Sequence, residues 1–175
     1  MMKRITIILA VVALLATSCG AKKGEKQVFE GSAATAVLDK DQWTITDANG
    51  NELVTDYDSM RVVELGEDGH PATVIYFKQG RQTCLQFYSN MALRGRGDIV
   101  DGQREGMWQY YFANGTLQAE ATFVAGLEDG PYRVYRENGV PYYIGQYKNG
   151  ARVGTWEVYD PAGNLVEKME MQNED

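Results

Sequence analysis

The sequence predicts an all-β chain, a single-layer, elongated antiparallel sheet built from about six tandem β-hairpins. Three observations carry this. Glycines 102, 126 and 150 stand 24 residues apart, and the glycines at 106, 130 and 154 and at 115, 139 and 163 repeat the interval. Within one interval, Trp108, Tyr110 and Phe112 alternate with Gln109 and Tyr111, and Leu117, Ala119, Ala121 and Phe123 alternate with Gln118, Glu120 and Thr122, which is the period of a strand. Asn114-Gly115 and Asn138-Gly139 separate such runs, and Asn-Gly is a strong hairpin signal because both central residues of the favoured two-residue turn take positive φ.

Taken in chain order, residues 1–18 read as a secretory leader. A cationic Met-Met-Lys-Arg precedes the apolar run Ile5 to Ala16, whose 12 residues are too few to cross a hydrocarbon layer that needs about 20. Cys19, immediately after Ala16-Thr17-Ser18, resembles the lipobox of bacterial lipoproteins, with the usual leucine shifted one place to Leu15. The resemblance implies cleavage before Cys19, lipidation of its thiol and a membrane partner through the N-terminal lipid, since two or more acyl chains anchor stably where one does not. Gly20 stands where similar lipoproteins carry the aspartate that retains them in the inner membrane, which implies an outer-membrane location in the bacterial cell envelope. Residues 19–41 then form the lipid-anchored N-terminus and a flexible, polar tether.

Loss of Lys3 and Arg4 with the leader takes the formal charge from −7 to −9. Such a surface excludes nucleic acid as a partner and is repelled by anionic headgroups, leaving attachment to the lipid. With Cys19 modified, Cys84 has no thiol to pair with, and stability must come from packing.

Residues 42–175 form the repeat domain, with degenerate copies over 42–101. Gln42 to Leu53 resembles the segment from Thr155 to Leu165, Cys84 to Leu93 falls on Trp108 to Leu117, and Glu67 to Gly80 matches Glu137 to Gly150 at an offset of 70. The clear copies are 102–125, 126–149 and 150–173. Laid edge to edge, roughly twelve strands from Trp43 to Met171 make one sheet on the order of 55 Å long. Gly102, Gly106, Gly115 and their equivalents Gly126, Gly130, Gly139, Gly150, Gly154 and Gly163 are read as structural turn positions.

The pattern resembles the MORN repeat, in the bacterial variant found in the YwqK-family antitoxins: two glycines four apart, then an aromatic, a tyrosine three residues on, and a Gly-x-Leu turn. Trp108, Tyr132 and Trp156 fill the first aromatic column, and Tyr111, Tyr135 and Tyr159 fill the next. The resemblance implies a ladder of hairpins, a role in binding or scaffolding, and no catalytic residue or cofactor.

Inspection for chemistry agrees. His70, the single histidine, lies in the turn Gly69-His70-Pro71 and is read as solvated. No zinc ligand set or Cys-x-x-Cys pair occurs, and no metal is expected. Cys84 falls in the tryptophan column and is read as a small buried hydrophobe. The acidic pairs Asp39/Asp41, Asp56/Asp58, Glu67/Asp68 and Glu128/Asp129 lack the spacing of a calcium loop and are read as loop charge.

The functional expectation is a lipid-anchored, non-enzymatic binding or scaffolding module of the envelope. The tryptophan column Trp108, Tyr132, Trp156 is structural. The opposite face, with Tyr111, Tyr135, Tyr159 and the polar Gln109, Arg133 and Glu157, is the candidate recognition surface for an envelope protein or extended polymer. An antitoxin-like or immunity-type envelope partner, which the family resemblance suggests, is one alternative. A degenerate hydrolase using the acidic pairs is the other, with Asp56 and Asp58 expected on the same side of a possible strand.

Overall fold

The computed structural model describes residues 27–31, 34–39 and 42–171. Every regular element among them is a strand: β1 (Gln27–Glu30), β2 (Ala34–Asp39), β3 (Gln42–Asp47), β4 (Ser59–Leu65), β5 (Pro71–Lys78), β6 (Arg81–Phe87), β7 (Leu93–Val100), β8 (Gln103–Tyr111), β9 (Leu117–Val124), β10 (Leu127–Tyr135), β11 (Pro141–Lys148), β12 (Ala151–Tyr159) and β13 (Leu165–Met171). Strands β4 to β13 form one open antiparallel sheet in strict chain order, and β1 to β3 form a second, three-stranded sheet.

The large sheet is five hairpins, β4–β5 through β12–β13. A sixth is begun and abandoned: the Asp47–Asn51 loop after β3 closes as it does in later copies, but continues only as an isolated bridge between Thr46 and Glu52. The sheet therefore has ten strands, about 43 Å across at 4.8 Å per strand.

The small sheet corrects the expected tether and domain boundary. Residues 27–39, assigned to the tether, hold β1 and β2, and β3 pairs with β2 along its whole length, so a boundary at 42 cuts a hairpin. Ala34, Ala36 and Ile45 are almost fully buried against Val74, Leu85, Phe87 and Met91 of the large sheet, with Phe29, Trp43 and Tyr76 at the margin. Burying that apolar area, at about 25 cal/mol per Å², is what orders a segment whose own sequence carries no repeat. Among the described residues there are two layers there and one over the rest of the large sheet.

Two kinds of turn alternate, and their chemistry differs from the expectation. The links between hairpins are the two-residue turns with both φ positive: Gln79-Gly80, Asp101-Gly102, Ala125-Gly126 and Asn149-Gly150. The Asn-Gly loops within hairpins are three-residue loops in which only the glycine is left-handed, as at Gly115 (φ 85), whose N–H donates to the Phe112 carbonyl. Asparagine serves these loops through its side chain, since Asn114 Oδ1 accepts the Thr116 N–H at 2.9 Å and Asn138 Oδ1 that of Val140 at 3.1 Å. In the β6–β7 loop Met91 holds the left-handed position (φ 61), and its side chain is buried under the small sheet.

Gly106, Gly130 and Gly154 are not turn residues. Each has positive φ inside a strand, next to a bulge. Arg96 pairs with Gln109 and Asp98 with Glu105, so β8 carries two extra residues there, and β10 and β12 do the same. The bulge frees the Arg104 carbonyl to accept the Gly126 N–H of the next turn at 3.0 Å, and the Glu128 carbonyl accepts that of Gly150 at 2.8 Å. Strand β6 pairs with β5 without any shift. The missing two residues are why the first clear match runs at an offset of 70 instead of 72, three full periods.

Candidate functional site

Directly opposite residues trace one line across the large sheet: Val62, Val74, Leu85, Arg96, Gln109, Glu120, Arg133, Ile144, Glu157, Lys168. All point to the same face. The line is apolar where the small sheet covers it and becomes mostly charged where the cover stops, at Arg96. A second column on this face behaves alike. Phe87, 24 residues before Tyr111, is 2% exposed in the covered core, while Tyr111, Tyr135 and Tyr159 are half-buried beyond the cover.

The six residues of the expected recognition surface thus share one face, on β8, β10 and β12. Tyr111 donates its hydroxyl to Gln109 Oε1 at 3.1 Å, and Gln109 donates to Glu120 at 3.1 Å. Arg133 lies 3.9 Å from Glu120. Tyr159 donates to Glu157 Oε2 at 2.7 Å, and Lys168 lies 2.7 Å from the other oxygen of that carboxylate. Lys168 and then Tyr159 hold the Glu157 carboxyl below its ordinary range, and the bond to Glu157 raises the Tyr159 phenol. The result is an open, hydrogen-bonded polar ladder flanked by tyrosines.

The opposite face buries the tryptophan column. Trp108 and Trp156 are each 1% exposed although no second sheet covers them among the described residues. Each indole lies over a glycine of the preceding strand, Trp108 on Gly97 and Trp156 on Gly145, where a Cβ would overlap the ring. Each is covered in turn by an arginine, Arg104 at 4.7 Å and Arg152 at 4.5 Å from the ring centre. In the middle copy the smaller Tyr132 pairs with Ala121 in the same place. Residues 97, 121 and 145 keep the interval of 24, a column of small residues that the sequence reading missed although its period was there to be found.

Cys84 takes the tryptophan position of its copy, buried at 4% exposure in one apolar cluster with Trp108, Ala121 and Phe123, and burial pushes its thiol up to about 11. A thiol so held is a packing group. His70, expected in solvent, is instead 8% exposed: its ring lies over Gly66, where no side chain competes, and Nδ1 meets the Asp68 carboxylate.

Several of the acidic residues hold backbone. Asp58 accepts the Gln79 N–H at 3.0 Å, Asp129 that of Asn149 at 3.3 Å, and Glu105 that of Ala125 at 2.9 Å, so each fastens the next inter-hairpin turn. Asp56 and Asp58 precede β4 in a loop, with Asp56 at φ 56, and do not share a strand face as the hydrolase alternative requires. Cys19, the leader and Asp41 lie outside the described residues, and no group of three or more metal-ligating side chains occurs among the described ones.

No curated protein matches the chain. A family model, the MORN repeat variant, matches residues 104–125, 128–149 and 152–173, and each match spans one hairpin: β8–β9, β10–β11 and β12–β13. The three successive hairpins from residue 104 to 173 are thus a tandem array of MORN repeat variants.

Proposed function

We propose that this chain is a lipid-anchored binding or scaffolding module of the bacterial cell envelope, probing its partner with the open face that carries Tyr111, Tyr135 and Tyr159. MORN repeats are in general non-catalytic binding or scaffolding modules. The observation that carries the reading is the change along the face: Val74, Leu85 and Phe87 beneath the small sheet give way to Gln109, Glu120, Arg133 and the three tyrosines beyond it. Half-exposed tyrosines offer apolar area together with a hydroxyl, a combination that suits recognition. Their strands are two apart, so the row advances in steps of about 10 Å, which fits an extended peptide or polymer better than a compact molecule.

The test is a Tyr111→Ser, Tyr135→Ser, Tyr159→Ser protein compared with wild type for retrieval of a partner from solubilised envelopes. Near-native melting with loss of that partner supports the reading. Unchanged retrieval at equal affinity refutes it. Anchoring is tested separately by the intact mass of the mature chain and by fractionation of Cys19→Ala, which should leave the membrane.

A further inference from the structure

Strand β13 ends the large sheet, and its outer edge pairs with no strand among the described residues. Leu165 and Val166 at its start are 43% and 60% exposed. Edge strands of this kind are templates for another chain unless their side chains forbid it. The loop bonds between Asp160 and Asn164 set the alternation along the hairpin, so that Val158 and Trp156 turn their N–H and C=O groups toward β13. Their opposites Glu167 and Met169 face back, and Lys168 and Glu170 present their backbone groups outward.

We infer that β13 pairs antiparallel with β13 of a second copy of this chain, centred on Met169, which sets Lys168 of each copy opposite Glu170 of the other. A two-fold axis normal to the sheet preserves its faces. The row Glu157–Lys168 then runs on into Glu170–Thr155 of the second copy, and the row Trp156–Met169 into Met169–Trp156. Each Lys168, already 2.7 Å from its own Glu157, comes to lie between two carboxylates, and the two methionines meet on the opposite face beside the buried indoles. Neighbouring registers lack this match. Centring on Lys168 opposes lysine to lysine, centring on Glu170 opposes glutamate to glutamate, and centring on Glu167 sets Lys168 against Val166; like charges directly opposite are destabilising. The contact is isologous and closes on itself, giving a dimer and not a filament.

Met169→Cys in the full-length chain tests this. The two Cα atoms of a central non-hydrogen-bonded pair lie about 4.5 Å apart, within the range a disulfide spans. Mild oxidation of the detergent-purified protein should give a covalent dimer on a non-reducing gel, above the level of the parent chain with its own two cysteines. Adding either Lys168→Glu or Glu170→Lys should remove that band, and combining the two should restore it, because the swapped pair is again complementary. Melting of each variant separates loss of pairing from loss of fold. Absence of the Met169→Cys dimer, cross-linking undiminished by a single reversal, or failure of the folded double swap to restore it would each overturn the proposal.

Discussion

Replacing Gly97 by alanine should destabilise the protein by about 2 kcal/mol, because the new methyl group occupies space filled by the Trp108 indole. The ring cannot simply lift away. It is held edge to face with Phe123 at 6.3 Å, tilted against Tyr110 at 6.2 Å, beneath the Arg104 guanidinium, and by its Nε1–H donating to the Asp98 carbonyl at 3.1 Å. A retreat of about 1 Å forfeits a quarter to a half of each packing contact. Two aromatic pairs at about 0.5–1.5 kcal/mol each, a cation–π contact at about 0.5–1 and a hydrogen bond near 1 make a total of which half is about 2 kcal/mol, inside the range of about 1–3 for overpacking. At about 2–4 °C per kcal/mol for a domain of this size, the melting temperature should fall by about 4–8 °C. Thermal unfolding followed by circular dichroism and tryptophan fluorescence measures it. The middle copy supplies the second arm, since it sets tyrosine against alanine. In a Trp108→Tyr background, Gly97→Ala should cost at least 1 kcal/mol less, a coupling within the about 0.5–3 kcal/mol seen for residues in contact. A Gly97→Ala protein that melts like wild type, or a penalty identical in both backgrounds, would refute the stacking argument.

Other outcomes follow from the turns, the thiol and the carboxylates. Ala125 sits at φ 48 in an inter-hairpin turn, so Ala125→Gly should raise stability by up to about 1 kcal/mol, while Gly115→Val should lower it by about 1–3, both read from denaturant midpoints. Cys84 should resist a thiol reagent at pH 8 in the folded protein and react on unfolding, and Cys84→Ala should lower stability modestly while leaving binding intact; rapid labelling of the native chain would contradict its burial. The carboxyls of Asp47 and Asp160 are lowered by their Asn51 and Asn164 amides, Asp129 by Lys148, and Glu157 by Lys168. Folded values below the unfolded ones stabilise fully above the ordinary 3.8 to 4.5 and lose that contribution as pH falls through the folded values, so urea midpoints should be level near neutrality and decline below about pH 4. Midpoints that rise on acidification would show the sign to be wrong.

The hairpins, their number within one, the two aromatic columns on opposite faces and the grouping of Tyr111, Tyr135 and Tyr159 with Gln109, Arg133 and Glu157 were all legible in the chain. Side-chain alternation and the left-handed preference of glycine act over a few residues, and each copy restates them. The turn types were not. Glycine marks both the three-residue loop at Gly115 and the two-residue turn at Gly126, and only the spacing of partner strands separates them. The bulges at Gly106, Gly130 and Gly154 were hidden for a related reason, since a bulge is a relation between two strands and shows in one sequence only as the shortfall of two residues before Cys84.

Tertiary structure alone decided where the repeat face is covered. Ala34 and Ala36 lie in a segment with no period and Ile45 in the most eroded copy, and nothing local directs them; what places them is their fit onto Val74, Leu85 and Phe87, which come together only once the large sheet exists. The same packing admits a left-handed Met91 where other copies use glycine, because the side chain gains a buried site. His70 escaped the sequence for that reason too, since its burial depends on the bare surface of Gly66. Local rules are written in every copy and can be read from the sequence, whereas the cover is a single non-local contact whose complementarity exists only in three dimensions.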